Sequence, residues 1–231
     1  PKSAIVVSIT HRSPWVSKLP FRRALVYALN MEDVLKGVTQ GKKEFYRVQP
    51  SIFFPEQKDF NTTAGSGGFY NNQDLNKVKE LLKEAGYNGE KIVYVTNRDF
   101  DWMYKASLIL ADQWKAAGIN LDVQFVDWPS ERQIIANPEG WDMAQDGWSP
   151  RFDPIMLVGM RIPDRKETAF YSNPEMTRLF TEVNRPVSLR ERQLTWAGIQ
   201  KLIWDDVYNI RVGDYFEMDA IRSDLSGYRP F

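Results

Sequence analysis

The feature that most constrains the fold is an alternation of strand and helix patterns between residues 74 and 148. Apolar residues at helical spacing over 75–85 precede the apolar run 91–96, and a second helical pattern over 102–117 precedes a strand pattern over 119–125. A short helix from Pro129 and a strand over 141–148 continue the series. This alternation predicts an α/β fold, in which a mixed, mostly parallel sheet is flanked by helices.

The segments on either side extend this pattern. Residues 4–10 read as a strand, Pro20 opens a helix, and Asn30 caps a second helix that runs to Val38. No hydrophobic periodicity persists from 39 to 72, which predicts a long loop. A loop of this length inside a compact domain usually has a function or covers another part of the protein. Two helices are predicted over 174–184 and 188–205. Alternating apolar residues over 208–220 then predict one long strand, or two joined at Gly213.

Composition excludes several kinds of function. The 30 basic residues balance 30 acidic ones, which argues against nucleic-acid binding, and the absence of cysteine excludes thiol chemistry and zinc ribbons. The single histidine, His11, is predicted to lie on the surface at the end of a strand. No apolar run approaches the ~20 residues that cross a bilayer. Because the chain starts at Pro1, directly before a strand, we expect it to be a processed or excised piece of a longer protein.

Motifs for catalysis are weak. The segment 37–43 has three residues between its glycines instead of four and lacks the serine or threonine of a phosphate-binding loop. Three pairs of carboxylates lie close in sequence: Asp99 with Asp101, Asp142 with Asp146, and Asp205 with Asp206. Such pairs are usually helix caps or solvated groups, so no catalytic residue, metal or cofactor is predicted and the chain is not expected to be an enzyme.

Tryptophans stand out in the segments that flank the predicted strands. Five of them lie at strand ends or in the following loops: Trp15, Trp102, Trp128, Trp141 and Trp148. In an open α/β sheet, ligands bind at the carboxyl ends of the strands. Charged residues nearby include Arg98, Asp99, Arg151 and Asp153. Rigid rings beside charged groups suit an amphipathic ligand, so the pattern predicts a binding cleft.

Five segments resemble one family in chain order. They are LPFRRALVYALNMEDVLKGV (19–38), YNNQDLNKVKELLKEAGY (70–87), ASLILADQWKAAGINLDVQFVDW (106–128), GWDMAQDGWSPRFDP (140–154) and FYSNPEMTRL (170–179). Together they are similar to the C-terminal lobe of the family 5, peptide/nickel-type, extracellular solute-binding proteins of ABC transporters. The likeness covers almost the whole chain.

The resemblance implies a type II periplasmic-binding-protein lobe from a two-lobed receptor that closes on its ligand and has no catalytic activity. Residues 1–231 would form the C-terminal lobe, without the N-terminal one, and residues 1–18 and 207–231 would lie near the hinge between lobes. The implied function is capture of a peptide or similar small polar solute for a membrane-embedded ABC permease. The protein would be a monomer without nucleic-acid partners, and it would be periplasmic or anchored at the cell surface.

The predicted ligand-binding residues are Trp148, Arg151, Asp153, Trp128, Arg98 and Trp102. The resemblance implies that the segment after Gly147–Trp148 meets the ligand, and Arg151 stands near the place where peptide-binding relatives carry an acidic residue. Arg151 either contacts an acidic or polar ligand group or pairs with Asp153 or Asp146. Asp153, which precedes Pro154, is either a helix cap or a ligand contact. Trp148 is predicted to wall the cleft rather than fill the core.

Two other functions remain open from the sequence. The same lobe could serve as the ligand-sensing domain of a cytoplasmic transcriptional regulator, which an upstream signal peptide would exclude. An unrelated α/β hydrolase or transferase is the third alternative, and a screen with generic ester and glycoside substrates would detect it.

Overall fold

The protein is described here by a computed structural model that covers residues 2–161, 169–217 and 221–227. Within those residues the chain forms six strands and seven α-helices. The strands are β1 (Lys2–Ile9), β2 (Tyr46–Arg47), β3 (Ile92–Asn97), β4 (Leu121–Val126), β5 (Met143–Trp148) and β6 (Asn209–Phe216). The helices are α1 (Leu19–Tyr27), α2 (Met31–Val38), α3 (Leu75–Glu84), α4 (Asp101–Ala116), α5 (Trp128–Ile134), α6 (Pro174–Val183) and α7 (Leu189–Asp205).

All six strands belong to one mixed sheet with the order β2-β6-β1-β5-β3-β4. Strand β3 runs parallel to β4 and β5, whereas β1 runs antiparallel to β5 and β6, and β2 antiparallel to β6. Strands β3, β4, β5 and β6 therefore run in the same direction, although antiparallel β1 lies between β5 and β6. The predicted α/β class with a mixed sheet and flanking helices is confirmed.

Local signals explain where the helices begin. The side chains of Asn30 and Asp74 accept hydrogen bonds from backbone N–H groups in the first turns of α2 and α3, as the sequence predicts. Helix α7 opens with a capping box, in which Ser188 and Glu191 satisfy each other's backbone N–H groups. Helices α1, α5 and α6 each have proline in the first turn, where the missing N–H costs nothing.

The sheet has a different core on each face. Helices α1 to α4 bury one face in the largest apolar cluster, which includes Ile5, Tyr94 and Trp114. On the other face lie two smaller clusters, one around Phe53 and Trp196 and one around Val95, Ala144 and Trp141. Side chains alternate between the faces along each strand, so consecutive residues of β5 serve different cores.

Two segments and one residue differ from the sequence-based expectations. The long loop contains a 3-10 turn at Lys43–Phe45 and the two-residue strand β2, and the segment after β5 contains a 3-10 helix at Pro154–Arg161. His11 was expected on the surface but is half-buried, because its ring packs edge-on against Tyr171 at 4.8 Å and its Nε2 donates to the Tyr208 carbonyl at 3.0 Å. Burial lowers the pKa of His11 to about 4.

Strand β6 runs through Gly213 as a single strand with a bulge. The register against β1 shifts between Ile5 and Val6, and Gly213 has a φ of 152° that favours glycine. The extra residue lets Arg211 and Asp214, three apart, share one face, where they form a buried ion pair. The predicted strand was drawn to residue 220, and its last three positions lie outside the described residues.

Candidate functional site

The strand ends gather at one edge of the sheet. The parallel strands β3, β4 and β5 end there at Asn97, Val126 and Trp148. Antiparallel β1 begins at the same edge, where Ala4 lies opposite Trp148. This carboxyl edge is where an open α/β sheet presents residues to a ligand.

Three of the predicted site residues follow β3 and β4 at this edge. Trp102, in the first turn of α4, packs against Tyr215 with ring centroids 4.9 Å apart. The first residue of α5, Trp128, meets Phe100 edge-on at 5.3 Å, and its backbone N–H donates to Asp99 Oδ2 at 2.7 Å. The exposed Arg98 lies over the Phe125 ring at 4.9 Å. The Asp99 contact thus ties the end of β3 to the start of α5.

Trp148 is half-buried at the end of β5 and has two kinds of neighbour. One side packs against the cluster around Phe53 and Trp196. The other side lines a cavity of about 140 Å³ that we call the Trp148 recess. Its walls are Ser8, Arg132, Ile135, Trp141, Asp146, Trp148, Ala169, Tyr208 and Asn209. The recess opens on the sheet face that carries α5.

A charged network links Trp128 to the recess. The Arg132 guanidinium stacks on the Trp128 ring at 4.1 Å and reaches Glu131 at 3.3 Å and Asp146 at 3.7 Å. Glu131 is fully buried, and Asn97 Nδ2 donates to its carboxylate at 2.5 Å. Burial raises the pKa of Glu131 to about 7 and also raises the pKa of Asp146. One cation thus faces two desolvated acids.

Arg151 and Asp153 lie on the segment after β5 and face other parts of the chain. Arg151 has an exposed side chain, and its backbone carbonyl accepts a hydrogen bond from Gln57 Nε2. Asp153 accepts the Ile155 N–H at 2.9 Å and pairs with Arg192 of α7 at 2.5 Å. That hydrogen bond to Arg192 lowers the pKa of Asp153. Asp153 and Asp146 were considered as ion-pair partners of Arg151. In the structure Asp153 pairs with Arg192, and Asp146 pairs with Arg132.

In two of the three close carboxylate pairs, the two carboxylates have separate partners or surroundings and do not form an acid–base dyad. Asp142 accepts the Val93 N–H at 2.7 Å and also bonds the Ser13 hydroxyl, whereas Asp146 faces the recess. Asp206 accepts from Tyr171 and Asn173, and Asp205 pairs with Lys201. Among the described residues, no group of three or more acidic or histidine side chains could hold a metal ion.

Sequence reasoning missed Asn97, Glu131, Arg132 and Asn209. Glu131 resembles an ordinary first-turn acid of a short helix, and its burial depends on how α5 docks over β3. Trp15 was grouped with the edge tryptophans, but it follows β1, which runs antiparallel, and its ring packs on Tyr87 at 5.5 Å within the helical face of the fold. The positions of the tryptophans in the sequence could not reveal that β1 runs antiparallel to its neighbours.

A second, wider groove of about 360 Å³ lies beside Trp102 at the same edge. Its lining mixes the cations Lys42 and Lys105 with Asp99 and Asp101. In the described part of the chain, no helix has both the length and the apolar character needed to cross a bilayer.

Comparisons with known proteins agree on one family. A model of bacterial extracellular solute-binding proteins, family 5 Middle, matches residues 2–158, more than half of the chain. A probable peptide ABC transporter periplasmic-binding protein, y4tO of Sinorhizobium fredii, is 28% identical over 223 residues, which cover 90% of this chain and 40% of that protein. The glutathione-binding protein GsiB of Pectobacterium atrosepticum is 27% identical over 251 aligned positions, covering 98% and 47%.

Solved structures share the fold. The oligopeptide-binding protein AppA of Bacillus subtilis, in complex with a nonapeptide, superimposes with a TM-score of 0.80 at 18% identity, covering 99% of this chain and 48% of that one. A putative peptide-binding AppA of Clostridium difficile gives 0.82 at 22% identity, covering 92% and 44%. The chain thus spans less than half the length of each relative named here.

Proposed function

Because the chain belongs to the bacterial extracellular solute-binding proteins of family 5, we propose that it forms the C-terminal lobe of a receptor that captures a peptide or similar small polar solute between two lobes. The receptor acts outside the cytoplasmic membrane as a monomer and delivers its solute to a membrane-embedded ABC permease. It catalyses no reaction, needs no cofactor and binds no nucleic acid. The names of the two relatives and the nonapeptide complex support a peptide-like solute.

The observation that carries the proposal is the aromatic recess on the α5 face of the sheet, which reaches the carboxyl edge at Trp148. Trp148 and Trp141 supply apolar walls, and Ser8, Arg132 and Asp146 supply polar groups. Ligand sites combine predominantly apolar walls with a few oriented polar groups in this way. At the carboxyl edge itself, Trp128 on the α5 side and Trp102 on the opposite face of the sheet form further walls of the cleft in the receptor.

The charged residues of the proposed site have different roles. Arg98 and Arg151 are exposed at or after strand ends and offer donors to acidic or polar groups of the solute. Asp153, which caps the following 3-10 helix and pairs with Arg192, holds the segment that carries Arg151 and contributes to the site mainly by positioning it.

The hinge between lobes is proposed to involve residues 1–18 and 207–231. Lys2 pairs with Phe216 at the edge that carries Trp148, so β1 starts and β6 finishes side by side next to the proposed cleft. A second lobe connected at that edge would face the Trp148 end of the recess. The regulator alternative gains no support, since neither relative named above is a transcriptional regulator.

The test uses the complete receptor and libraries of randomised dipeptides to pentapeptides. Retained peptides are identified by mass spectrometry after gel filtration, and the melting temperature is measured with and without the library. We expect retention of peptides and a higher melting temperature, because a ligand that binds only the folded state stabilises it. A receptor that retains no peptide and shows no thermal shift would overturn the proposal.

A further inference from the structure

Asn209, like Arg132 at its Nε, is a side chain of the Trp148 recess with buried polar atoms that lack hydrogen-bond partners among the described residues. It is the first residue of β6, it is 3% exposed, and it lines the recess. Within the described part of the chain, neither its amide nitrogen nor its amide oxygen has a hydrogen-bond partner. Buried amides normally have partners, so an unpartnered one in the wall of a cavity points to a ligand group that completes it.

Three other polar side chains of the recess, those of Ser8, Asp146 and Arg132, contact one another, although Arg132 Nε has no hydrogen-bond partner among the described residues. Ser8, which lies opposite Asn209 in the register of β1 and β6, donates to Asp146 Oδ2 at 3.3 Å. Asp146 Oδ1 accepts the Gly147 N–H at 2.8 Å and faces Arg132 at 3.7 Å. The Arg132 charge is opposed by Asp146 and by the buried Glu131 beside it. The positive charge in the wall is therefore already opposed and does not require an anionic ligand group.

The Asn209 amide offers one donor and one acceptor side by side. A carboxylate presents only acceptors and a guanidinium only donors, so neither can match both atoms. A trans peptide bond points its N–H and C=O in opposite directions, so one peptide unit cannot pair with both either. A primary carboxamide carries its N–H and C=O on the same side and can form two parallel hydrogen bonds with Asn209.

The size and walls of the recess suit this group. Its volume of about 140 Å³ is close to that of an engineered cavity of about 150 Å³ that holds benzene. It therefore has room for one side chain rather than for a peptide backbone. The rings of Trp148 and Trp141 provide flat apolar surfaces against which a planar amide can pack.

We propose that the Trp148 recess is a specificity subsite that takes a primary carboxamide, the group of a glutamine or asparagine side chain, through a paired donor–acceptor contact with Asn209. The inference rests on the proposed function as a peptide receptor. It adds a preference that distinguishes this receptor from one with an apolar or charged subsite.

The experiment repeats the peptide-library selection with the complete receptor and with Asn209→Leu and Asn209→Asp variants. For the natural sequence, we expect glutamine or asparagine to be enriched at one peptide position over glutamate, aspartate and leucine. Single peptides with either amide at that position then distinguish the two side-chain lengths. Asn209→Leu should reduce the enrichment about tenfold or more, because the carboxamide loses both partners. Asn209→Asp presents only acceptors and should shift the preference towards lysine or arginine.

Asn184→Leu is the matched control. Asn184 is also an asparagine with an unpartnered buried amide oxygen among the described residues, but it ends α6 outside the recess. Its replacement should leave the selected peptides unchanged. Asn209→Leu should fold with an equal or higher melting temperature, since it removes a buried amide that lacks partners.

The outcomes separate the two proposals. If the natural receptor retains no peptide, the proposed function fails and the subsite fails with it. Peptides retained without amide enrichment at any position would overturn the subsite alone. The same holds if both Asn209 variants keep the natural preference.

Discussion

At the residue scale, Gly147 sets the positions of two tryptophans. Its neighbour Trp148 points to the α5 face, while Gly147 itself lies under the Trp102 ring on the opposite face. A Cβ atom at Gly147 would lie 2.6 Å from the Trp102 ring, well inside contact distance. The Gly–Trp pair thus places one aromatic ring on each side of β5 at the carboxyl edge. A glycine is needed there for close packing and not for an unusual backbone angle.

Replacing Trp148 with alanine should affect stability and ligand binding together. The ring is half-buried between the Trp196 cluster and the recess, so we expect a loss of about 1–3 kcal/mol in the free energy of unfolding. Trp196→Ala, in the same cluster but 1% exposed, should cost about 3–5 kcal/mol. Urea unfolding of both variants gives the comparison. Peptide affinity of the complete receptor should fall only for Trp148→Ala; equal stability losses and unchanged affinity would place Trp148 in the core alone.

Arg151→Ala tests the exposed guanidinium as a ligand contact. If Arg151 holds an acidic or polar group of the solute, its loss should cost roughly 1.5–3 kcal/mol of binding free energy. Arg151→Lys should recover only part, because lysine cannot form two parallel hydrogen bonds in a fixed plane. Calorimetric titration of the complete receptor with a selected peptide measures both. Arg190→Ala, exposed at the start of α7, is the control, and the proposed contact is wrong if Arg151→Ala binds equally well.

At the scale of elements, the bulge in β6 allows an ion pair inside the sheet. Side chains three apart on a regular strand face opposite sides, and the bulge brings Arg211 and Asp214 to the same side. Gln49 Nε2 also donates to Asp214 at 2.8 Å, and the Arg211 guanidinium lies 5.7 Å from the Phe54 ring. Burial lowers the pKa of Arg211 and raises that of Asp214. The pair therefore joins β6 to the long loop.

Breaking this pair on one side should be much worse than removing it entirely. Asp214→Ala leaves a buried guanidinium uncompensated and should cost about 3–5 kcal/mol of stability, whereas the double variant Arg211→Met with Asp214→Leu should recover most of that loss. Urea unfolding measures both. As a control, Asp205→Ala breaks the exposed Lys201–Asp205 pair of α7 and should cost at most ~1 kcal/mol. A double variant as unstable as Asp214→Ala would contradict this account.

Helices and strands with clear local signals could be predicted from sequence, whereas an element that exists only through long-range pairing could not. The caps Asn30 and Asp74 and the apolar spacing of α4 mark helices within a few residues of their ends. Strand β2 has two residues and exists because Tyr46 pairs with Tyr215, far along the chain. The tryptophans of the site are visible in the sequence. The Asn97–Glu131 contact and the position of Asn209 opposite Ser8 depend on docking and register, which periodicity does not reveal.

At the scale of the whole molecule, the recess lies where two small cores meet. Trp148 packs against the cluster of the α6–α7 side, while Trp141 and Ala169 belong to the cluster beneath α5. The opposite face of the sheet is one continuous core under α1 to α4. A cavity between two clusters is compatible with a stable fold, because the continuous core contains most of the buried apolar residues of the three clusters.

Two titratable groups on the α5 side of the sheet, whose pKa values burial shifts in different directions, oppose each other in their effect on stability. His11 has its pKa lowered from 6.5 to about 4, so between those values the unfolded chain binds more protons and stability falls as the pH falls. Glu131 has its pKa raised from 4.5 to about 7, so the folded chain binds more protons and stability falls as the pH rises. Each shift corresponds to up to about 3 kcal/mol. Between about pH 4.5 and 6.5 the two contributions should nearly cancel.

Single variants should therefore reveal opposite slopes. In Glu131→Gln only the His11 contribution remains, and the free energy of unfolding should rise from pH 4.5 to 6.5 relative to the natural protein. In His11→Gln only the Glu131 contribution remains, and stability should fall over the same range. Urea unfolding at both pH values gives the free energy of unfolding of each variant relative to the natural protein. The titration of the exposed carboxylates cancels in this difference, because all the proteins share them. The double variant should restore the natural slope. If all four proteins have the same pH dependence, His11 and Glu131 titrate in the folded protein as they do in the unfolded chain.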